Sequence, residues 1–300
     1  MADDTKALKQ RFAEISSPLS PLPTDTDPQL ETLQNIRFVI FDFYGTLFVS
    51  GVGDIGIDEN SQDPTLLRHV FKACGFDVSS DVCKTAFQSY GEVINRHNER
   101  LIKDGYDIPE PAIDRVWYSV LSKLQESEKI HGKVDRQTAR RFSVEFEARM
   151  NPVWPMPGLI DVFTSLREKN LETGIISNSQ FYTPLAFEAL TNQTLEELGL
   201  NPNLLHWSYE EHLKKPSLKF YKGFLSKLKR AFPGAKPSEV IFVGNDMLKD
   251  IYPASTVGMQ TALFAGDKRS LKWRRDDERC RTLTPDLVIT ELTQLTECIA

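Results

Sequence analysis

Several polar residues follow apolar runs along this chain, at points where buried strands are predicted to end. They are Asp42 after FVIF, Ser177 and Asn178 at the end of GIIS, and Asn245, Asp246 and Asp250 after VIFVG. A carboxylate can attack a substrate as a nucleophile, and carboxylate oxygens are ligands that Mg²⁺ prefers. Lys215, in the segment KKPS, adds an ammonium group that can neutralise an anion. These residue types predict nucleophilic chemistry on a small anionic substrate.

The elements that must position these groups alternate between strand and helix. Buried strands are predicted at RFVIFDF, LETGIIS, LLHWSYE, EVIFVG, QTALF and DLVIT. Strands that alternate with helices indicate a parallel sheet covered on both faces. In such a sheet the C-terminal strand ends meet at one edge, and function collects there. The polar residues are therefore expected to lie together at that edge.

A second region, from about residue 63 to residue 150, shows only helical patterns. Leu67, Val70 and Phe71 share one helix face, and Gly75 follows as a stop signal. Tyr90, Trp117 and Tyr118 fall at helical spacing on later helices and are expected mainly to pack in the interior, with contact of one of them to the substrate as the alternative. We predict an α/β fold with three parts. A Rossmann-like parallel-sheet core spans 36–50 and 152–300, an inserted all-helical cap domain spans 51–151, and an N-terminal extension spans 1–35.

The glycine-rich segment GVGDIG, at 51–56, matches the pattern G-x-G-x-x-G. It neither directly follows a strand nor opens a helix within a βαβ unit, so we do not predict a dinucleotide site. The surrounding glycines and acids favour a hinge for cap closure.

The bulk composition, 40% hydrophobic and 26% charged, is typical of a globular protein. A net charge of -6 argues against a nucleic-acid or anionic-membrane partner, because either would select a basic face. One basic run occurs, and the acids at 276–278 neutralise it, which predicts a solvated loop. Its members are Lys268, Arg269, Lys272, Arg274 and Arg275.

The four cysteines show no CxxC spacing, which favours reduced thiols in a cytoplasmic protein. The polar N-terminal sequence does not resemble a secretory signal, and no apolar run approaches the roughly 20 residues of a membrane span. We expect a cytoplasmic protein with no membrane partner, either a monomer or a homodimer.

Four motifs, in this order, resemble those of the haloacid dehalogenase-like hydrolase superfamily. They are D-x-x-G-T-L at 42–47, S-N at 177–178, K-P at 215–216 and VGND-x-x-x-D at 243–250. Each motif is short, but four in order, each after a predicted strand, make a specific combination. The resemblance covers roughly residues 36–290 and includes a helical cap inserted after the first strand.

The resemblance implies roles for individual residues. Asp42 would be the nucleophile that forms a covalent ester or aspartyl-phosphate. Mg²⁺ would be held by Asp42, the Tyr44 carbonyl and Asp246, and Lys215 would supply a second positive charge.

Other residues would bind the transferring group or support the site. Thr46, Ser177 and the Asn178 region would contact that group, and Tyr221 matches a substrate-binding position of the dehalogenases. Asp250 would orient Lys215 or the waters of the metal. Many relatives place their first acid at the position of Asn245, but a charged oxygen is the better Mg²⁺ ligand, which favours Asp246.

Tyr44 occupies a position where most phosphatases of this family have aspartate, which protonates the leaving alcohol. A tyrosine with an ordinary pKa of about 10 is a poor base near neutral pH. The motif D-x-Y-G-T resembles the 2-haloacid dehalogenases, whose halide leaves without protonation. Those enzymes need no metal, however, and have Ser and Asn where this chain has Asn245 and Asp246. They also use an arginine early in the cap. Arg68 lies in about the right region, but no motif aligns it with that arginine.

The site therefore combines a dehalogenase-like first motif with a phosphatase-like acidic motif. We expect a Mg²⁺-dependent hydrolase with a covalent aspartyl intermediate. The favoured function is a small-molecule phosphatase that prefers good leaving groups, such as acyl or aryl phosphates. The alternatives are a 2-haloacid dehalogenase-type hydrolase and a catalytically weak binding or regulatory member. The expected substrate is a small anion, namely a phosphate ester, an acyl phosphate or a haloacid.

Overall fold

A six-stranded parallel sheet forms the centre of the computed structural model, which describes residues 2–52 and 63–300. The strand order is β5-β4-β1-β6-β7-β8. The strands are β1 (Phe38–Phe41), β4 (Glu172–Ser177), β5 (Leu200–Trp207), β6 (Val240–Gly244), β7 (Gln260–Phe264) and β8 (Leu287–Ile289). A separate antiparallel pair joins β2 (Phe48–Ser50) to β3 (Val153–Pro155). The predicted α/β core with a parallel sheet is confirmed.

Helices cover the sheet and form the insertion. They are α1 (Ala2–Ile15), α2 (Pro64–Ala73), α3 (Ser80–Lys103), α4 (Ile113–Glu126), α5 (Arg136–Met150), α6 (Leu159–Glu168), α7 (Thr183–Thr191), α8 (Ser208–Glu211), α9 (Leu218–Ala231), α10 (Tyr252–Thr256) and α11 (Gln294–Glu297). Short 3₁₀ and π segments occupy Pro237–Glu239 and Met247–Ile251. Apolar side chains pack on both faces of the sheet, because every residue of β1 is buried.

Strand register brings the functional ends together. Phe41, the last residue of β1, pairs with Ile175 of β4 and with Val243 of β6. The residues that follow in all three strands therefore reach the same edge of the sheet, and β1 occupies its centre. This is the edge that the sequence predicts for the site.

The insertion between β2 and β3 contains helices α2 to α5, which form the helical cap. Their aromatic side chains build a separate interior, in which Trp117 lies 4.6 Å from Phe142 and 4.7 Å from Tyr90 between ring centroids. Helix α2 ends before Gly75, whose φ of +87° suits a glycine after a helix. The expected packing role is confirmed for Tyr90 and Trp117 but is wrong for Tyr118, which is 45% exposed. Most of the predicted hinge at 51–62 lies outside the described residues.

Helix α1 lies across both parts of the molecule. Its apolar residues Leu8 and Phe12 belong to the same buried cluster as cap residues of α5 and core residues of α7. Arg11 forms an ion pair with Glu145, a fully buried residue of the cap. Lys9 forms an ion pair with Glu188 of α7, at 2.7 Å. The extension is thus packed against the cap and the core together.

The segment after β6 begins as a π-helical turn over Met247–Ile251 and continues as α10. One sequence prediction needs correction. The basic run at 268–275 was predicted to be a solvated loop. Instead Arg269 and Arg274 bind buried carboxylates, those of Asp267 and Asp246. The partners of these arginines are buried carboxylates. Counting the charges of neighbouring residues in the sequence does not show which carboxylates will lie within reach.

All four cysteines are free thiols. Within residues 2–52 and 63–300, the structure contains no helix with both the length and the apolar character that crossing a membrane requires.

Candidate active site

The turn after β1 holds Asp42 at the edge of the sheet. The Asp42 amide donates to the Val243 carbonyl at 2.8 Å, which extends the pairing with β6 beyond the strand. The chain then reverses at Gly45, whose φ is +79° and whose amide donates to the Phe48 carbonyl at 2.7 Å. A Cβ at Gly45 would lie 2.5 Å from Ser270 Cβ, so only glycine fits this turn. The carboxylate of Asp42 is 6% exposed.

Lys215 lies between two carboxylates at the centre of the site. Its Nζ is 2.7 Å from Asp42 Oδ1 and 2.6 Å from Asp250 Oδ1. Burial lowers the pKa of Lys215, but the two carboxylates outweigh burial and the pKa is raised. Burial raises the pKa of the Asp250 carboxyl to about 7; the Lys215 ammonium counteracts this rise, and the charges of Asp42 and Asp246 add to it. The ammonium therefore stays charged beside the predicted nucleophile.

The end of β4 positions the backbone of Lys215. Asn178 Oδ1 accepts from the Lys215 amide at 2.7 Å, and Asn178 Nδ2 donates to the Lys215 carbonyl at 3.4 Å. Ser177 is fully buried, and its hydroxyl donates to the Asn178 carbonyl at 3.0 Å. The S-N motif thus fixes the lysine in addition to any contact that it makes with substrate.

The turn after β6 places two acids. Asp246 caps the π-helical turn, since its Oδ1 accepts from the amides of Leu248 at 2.8 Å and Lys249 at 3.2 Å. Asp250 Oδ2 accepts from the Asp246 amide at 2.9 Å. Pi-helical turns are rare and frequent at functional sites. Here the turn directs Asp250 toward Lys215.

Asn245 connects the first and last motifs. Its Oδ1 accepts from the Thr46 hydroxyl at 3.0 Å, and its Nδ2 donates to the Ser270 carbonyl at 2.8 Å. Both oxygen and nitrogen of the amide are therefore used for support.

Arg274 is a component of the site that the sequence does not predict. Its Nη2 lies 2.6 Å from Asp246 Oδ2, and its Nε lies 3.2 Å and 3.1 Å from Oδ1 and Oδ2. The guanidinium therefore covers both oxygens of the carboxylate that the sequence assigns to a metal. An arginine–carboxylate pair with this forked geometry is among the stronger ion pairs.

The oxygens at this edge suit Mg²⁺ in their chemistry. The carboxylates of Asp42 and Asp246 and the carbonyl of Tyr44 are hard oxygen ligands. In the turn that pairs Tyr44 with Phe48, the Phe48 amide donates to the Phe43 carbonyl and not to the Tyr44 carbonyl. Within the described residues no cluster of three or more His, Cys, Asp or Glu side chains is arranged to hold a metal. Mg²⁺ tolerates few protein ligands because it keeps several waters. The residues therefore fit the ion, provided that Arg274 yields its place on Asp246.

The side chain of Tyr44 points away from this acidic group. Its hydroxyl hydrogen-bonds to Thr183 Oγ1 at 2.9 Å, and the residue is 6% exposed. Burial raises the pKa of Tyr44 well above its ordinary value of 10, and the nearby Glu147 adds to the rise. Tyr44 therefore does not ionise near neutral pH and is not a base.

Tyr221 supports the site from behind. It is fully buried, and its hydroxyl donates to the Lys249 carbonyl at 3.0 Å, within the π-helical turn. Tyr221 is not among the residues that line the cavity described below.

A cavity of about 640 Å³ lies between the cap and the core and opens onto Lys215. Aromatic cap residues, among them Tyr90 and Trp117, form its apolar wall, while Asn178 and Lys215 form part of its floor. Its volume suits a small organic ligand. Among the described residues its lining contains no arginine, and Arg68 is exposed on α2. The cap arginine of the dehalogenases thus has no counterpart in this lining.

Two buried glutamates also line the cavity. Burial raises the pKa of Glu110 to about 7, although Lys214 and hydrogen bonds from Ser208 and Gln180 act against the rise. Glu147 is also buried with a raised pKa, and it accepts from the Tyr182 hydroxyl at 2.9 Å. The motifs in the sequence do not indicate either residue. The signal for Glu110 is its position between two prolines in PEP at 109–111, which restrict the backbone on both sides.

The comparison with family models identifies the class of protein that this fold and site define. The chain matches the haloacid dehalogenase-like hydrolase model over residues 36–258. It belongs to the haloacid dehalogenase-like hydrolases, and the predicted family is confirmed.

Individual relatives include both reaction types. The chain is 31% identical over 178 residues to a glyceraldehyde 3-phosphate phosphatase of Pyrococcus furiosus, a match that covers 53% of this chain and 66% of the relative. A 2-haloacid dehalogenase structure from Pseudomonas syringae pv. tomato is 20% identical, with a TM-score of 0.55, and covers 88% of this chain and 97% of that structure. A phosphatase structure of this family from Thermococcus onnurineus is 18% identical, with a TM-score of 0.48, and covers 87% and 97%. The structural likenesses concern the fold alone.

Proposed function

We propose that this protein is a Mg²⁺-dependent hydrolase that forms a covalent intermediate on Asp42 and acts on small phosphate-containing molecules. One observation carries the proposal. Lys215 Nζ lies 2.7 Å from Asp42 Oδ1 and 2.6 Å from Asp250 Oδ1, in a site that is almost fully buried. A charged lysine held in this way lets an anionic substrate approach an anionic nucleophile.

The reaction proceeds in two steps. Asp42 attacks phosphorus, the bond from phosphorus to the leaving-group oxygen breaks, and that oxygen takes the electron pair. Water then attacks the acyl phosphate, which releases inorganic phosphate and regenerates the carboxylate. Lys215 neutralises charge in both steps. The hydroxyls of Thr46 and Ser177 donate to Asn245 Oδ1 and to the Asn178 carbonyl, so each would exchange that acceptor for a phosphate oxygen when it binds the transferring group. Mg²⁺, bound by Asp42, Asp246 and the Tyr44 carbonyl, would supply further charge neutralisation.

Tyr44 determines which substrates react well. No aspartate stands two residues after Asp42 to protonate a leaving alcohol, and burial keeps Tyr44 from acting as a base. Positioned proton transfer contributes about 10²–10⁴-fold to enzyme rates. Acyl and aryl phosphates, whose leaving groups need no proton, should therefore react faster than alkyl phosphates by roughly a hundredfold.

The acids after β6 favour phosphate over halide chemistry. Lys215 contacts both Asp42 and Asp250, and the charges of Asp42 and Asp246 act on Asp250, an arrangement that a cation and an anionic phosphate would balance. The archaeal relative described as a glyceraldehyde 3-phosphate phosphatase supports the same choice. A second candidate function, carbon–halogen hydrolysis at a 2-haloacid, is favoured by the D-x-Y-G-T motif.

The test measures phosphate release by the purified protein from acetyl phosphate, 4-nitrophenyl phosphate and glyceraldehyde 3-phosphate, with Mg²⁺ and with EDTA. Asp42→Asn should abolish release, whereas Asp161→Asn, an exposed change on α6, should not. Mass spectrometry of the acid-quenched reaction should locate phosphate on Asp42.

Chloride release from 2-chloropropionate is measured in parallel. Chloride release without phosphate release would replace the phosphatase proposal with the dehalogenase. Release of neither product by protein that is folded would favour a binding or regulatory member of the family.

A further inference from the structure

Arg274 competes with the metal for Asp246, and we propose that it is a built-in cation latch that sets the Mg²⁺ concentration at which the site fills. The inference rests on the proposed function, because it takes Asp246 to be a Mg²⁺ ligand.

The contact itself is specific. Arg274 forms three hydrogen bonds with Asp246, of 2.6, 3.1 and 3.2 Å, and these cover both carboxylate oxygens. Asp246 is 4% exposed, and the Arg274 side chain is 35% exposed. The guanidinium thus closes the solvent side of a buried carboxylate. A Mg²⁺ ion bound to the same oxygens would meet a like charge at close range, so the two cations exclude each other.

The loop that carries Arg274 is fixed to the strand end that carries Asp246. The Lys272 amide donates to the Asn245 carbonyl and the Met247 amide donates to the Lys272 carbonyl, both at 2.9 Å. These bonds hold the loop two residues before Arg274. The arginine is therefore delivered to Asp246 by backbone pairing, and its approach is not a chance contact of a long side chain.

The backbone of Arg274 is strained. Its φ is +50°, in the left-handed region that residues other than glycine seldom adopt. Such strain persists where the surrounding structure imposes it, and it clusters at functional sites. Here the conformation accompanies the ion pair with Asp246.

The latch has a clear consequence for the metal. Without Mg²⁺, Arg274 compensates the charge of Asp246 and keeps the acidic edge folded. Mg²⁺ must displace the guanidinium before it binds, so the apparent affinity is weaker than the oxygen ligands alone would give. Removal of the guanidinium should therefore strengthen metal binding. If Arg274 instead held Asp246 in place for the metal, its removal would weaken metal binding.

The experiment measures Mn²⁺ binding by electron paramagnetic resonance of the free ion. The proteins are the full chain, Arg274→Gln, Arg274→Lys and Asp246→Asn. Arg279→Gln is a matched control, because Arg279 belongs to the same loop but is paired with Asp277 at 2.7 Å. We expect Arg274→Gln to bind Mn²⁺ about tenfold more tightly and Arg274→Lys to bind with intermediate affinity. Arg279→Gln should match the unchanged protein.

A second readout uses the unchanged protein and does not depend on how a variant folds. The ¹⁵N–¹H signal of Arg274 Nε, assigned by its loss in Arg274→Lys, should shift when Mg²⁺ is added. The latch is wrong if this signal stays in place at a Mg²⁺ concentration that saturates the site, or if Arg274→Gln binds Mn²⁺ equally or more weakly. Absence of Mn²⁺ binding in every protein would instead remove Asp246 as a ligand, and the Mg²⁺-dependent function would fail with it.

Discussion

Glu110 gives the sharpest test of the electrostatics in the cap–core cavity. The residue is 7% exposed, and Gln180 Nε2 donates to its Oε1 at 3.0 Å. Burial is the main cause that raises the pKa of Glu110 from an ordinary 4.5 to about 7, against the opposing effects of Lys214 and the Ser208 hydroxyl. The folded protein thus holds the proton of Glu110 more tightly than the unfolded chain does. At pH 8 the ionised carboxylate lowers the free energy of unfolding by about 3 kcal/mol.

The dependence on pH has a definite sign. Below pH 4.5 the carboxyl is protonated in both states and costs no stability. As pH rises from 4.5 to about 7, the unfolded chain loses its proton first, so the free energy of unfolding falls. Above about pH 7 the loss is complete.

The change Glu110→Gln removes the charge and keeps nearly the same shape. We expect it to raise the free energy of unfolding by about 2–3 kcal/mol at pH 8 and to change it little at pH 4.5. Urea unfolding, followed by circular dichroism at pH 4.5, 6 and 8, measures the difference. Glu99→Gln, on an exposed position of α3, is the matched control and should have no effect at any pH. An equal gain at all three pH values, or no gain at pH 8, would refute the assignment of a buried charge.

Three further changes test the architecture. Lys215→Met leaves two buried carboxylates without their cation, so it should lower the free energy of unfolding by about 3–5 kcal/mol in urea titrations and abolish phosphate release. Gly45→Ala should destabilise more than Gly75→Ala in thermal melts; both have positive φ, but only the Cβ at Gly45 would meet Ser270, at 2.5 Å. Phe12→Ala should cost about 3–5 kcal/mol of stability, because the ring is 1% exposed; a cost under 1 kcal/mol would mean that α1 is not packed as described.

The sequence predicts the sheet and the edge that carries the site because those features depend on local patterns. Buried strands appear as short apolar runs, and parallel strands align their C-terminal ends. Asp42, Lys215 and Asp250 therefore come within hydrogen-bonding distance as the motif order suggests. Their chemical roles remain predictions.

The rest of the site depends on contacts between distant segments. Arg274 reaches Asp246 across 28 residues of sequence, and its basic run shows local neutralisation but not the buried carboxylate that receives it. Glu110 has a raised pKa because tertiary packing buries its carboxyl. Tyr221 follows a family position, but its hydroxyl is used within the fold. Periodicity and motifs do not contain this information, because it arises from tertiary burial.

The placement of α1 has a consequence for the traffic of small molecules. A cap that is joined to its core only through a pair of strands can open by a large angle. A cap that also packs against a helix spanning cap and core opens by a smaller angle. Opening would have to separate α1 from α5 or from α7, and each of these contacts includes buried apolar side chains and an ion pair. We therefore expect substrate to enter and product to leave through narrow, short-lived openings. Compact substrates should then react fastest, and the rate for bulky substrates should be limited by the opening of the cap.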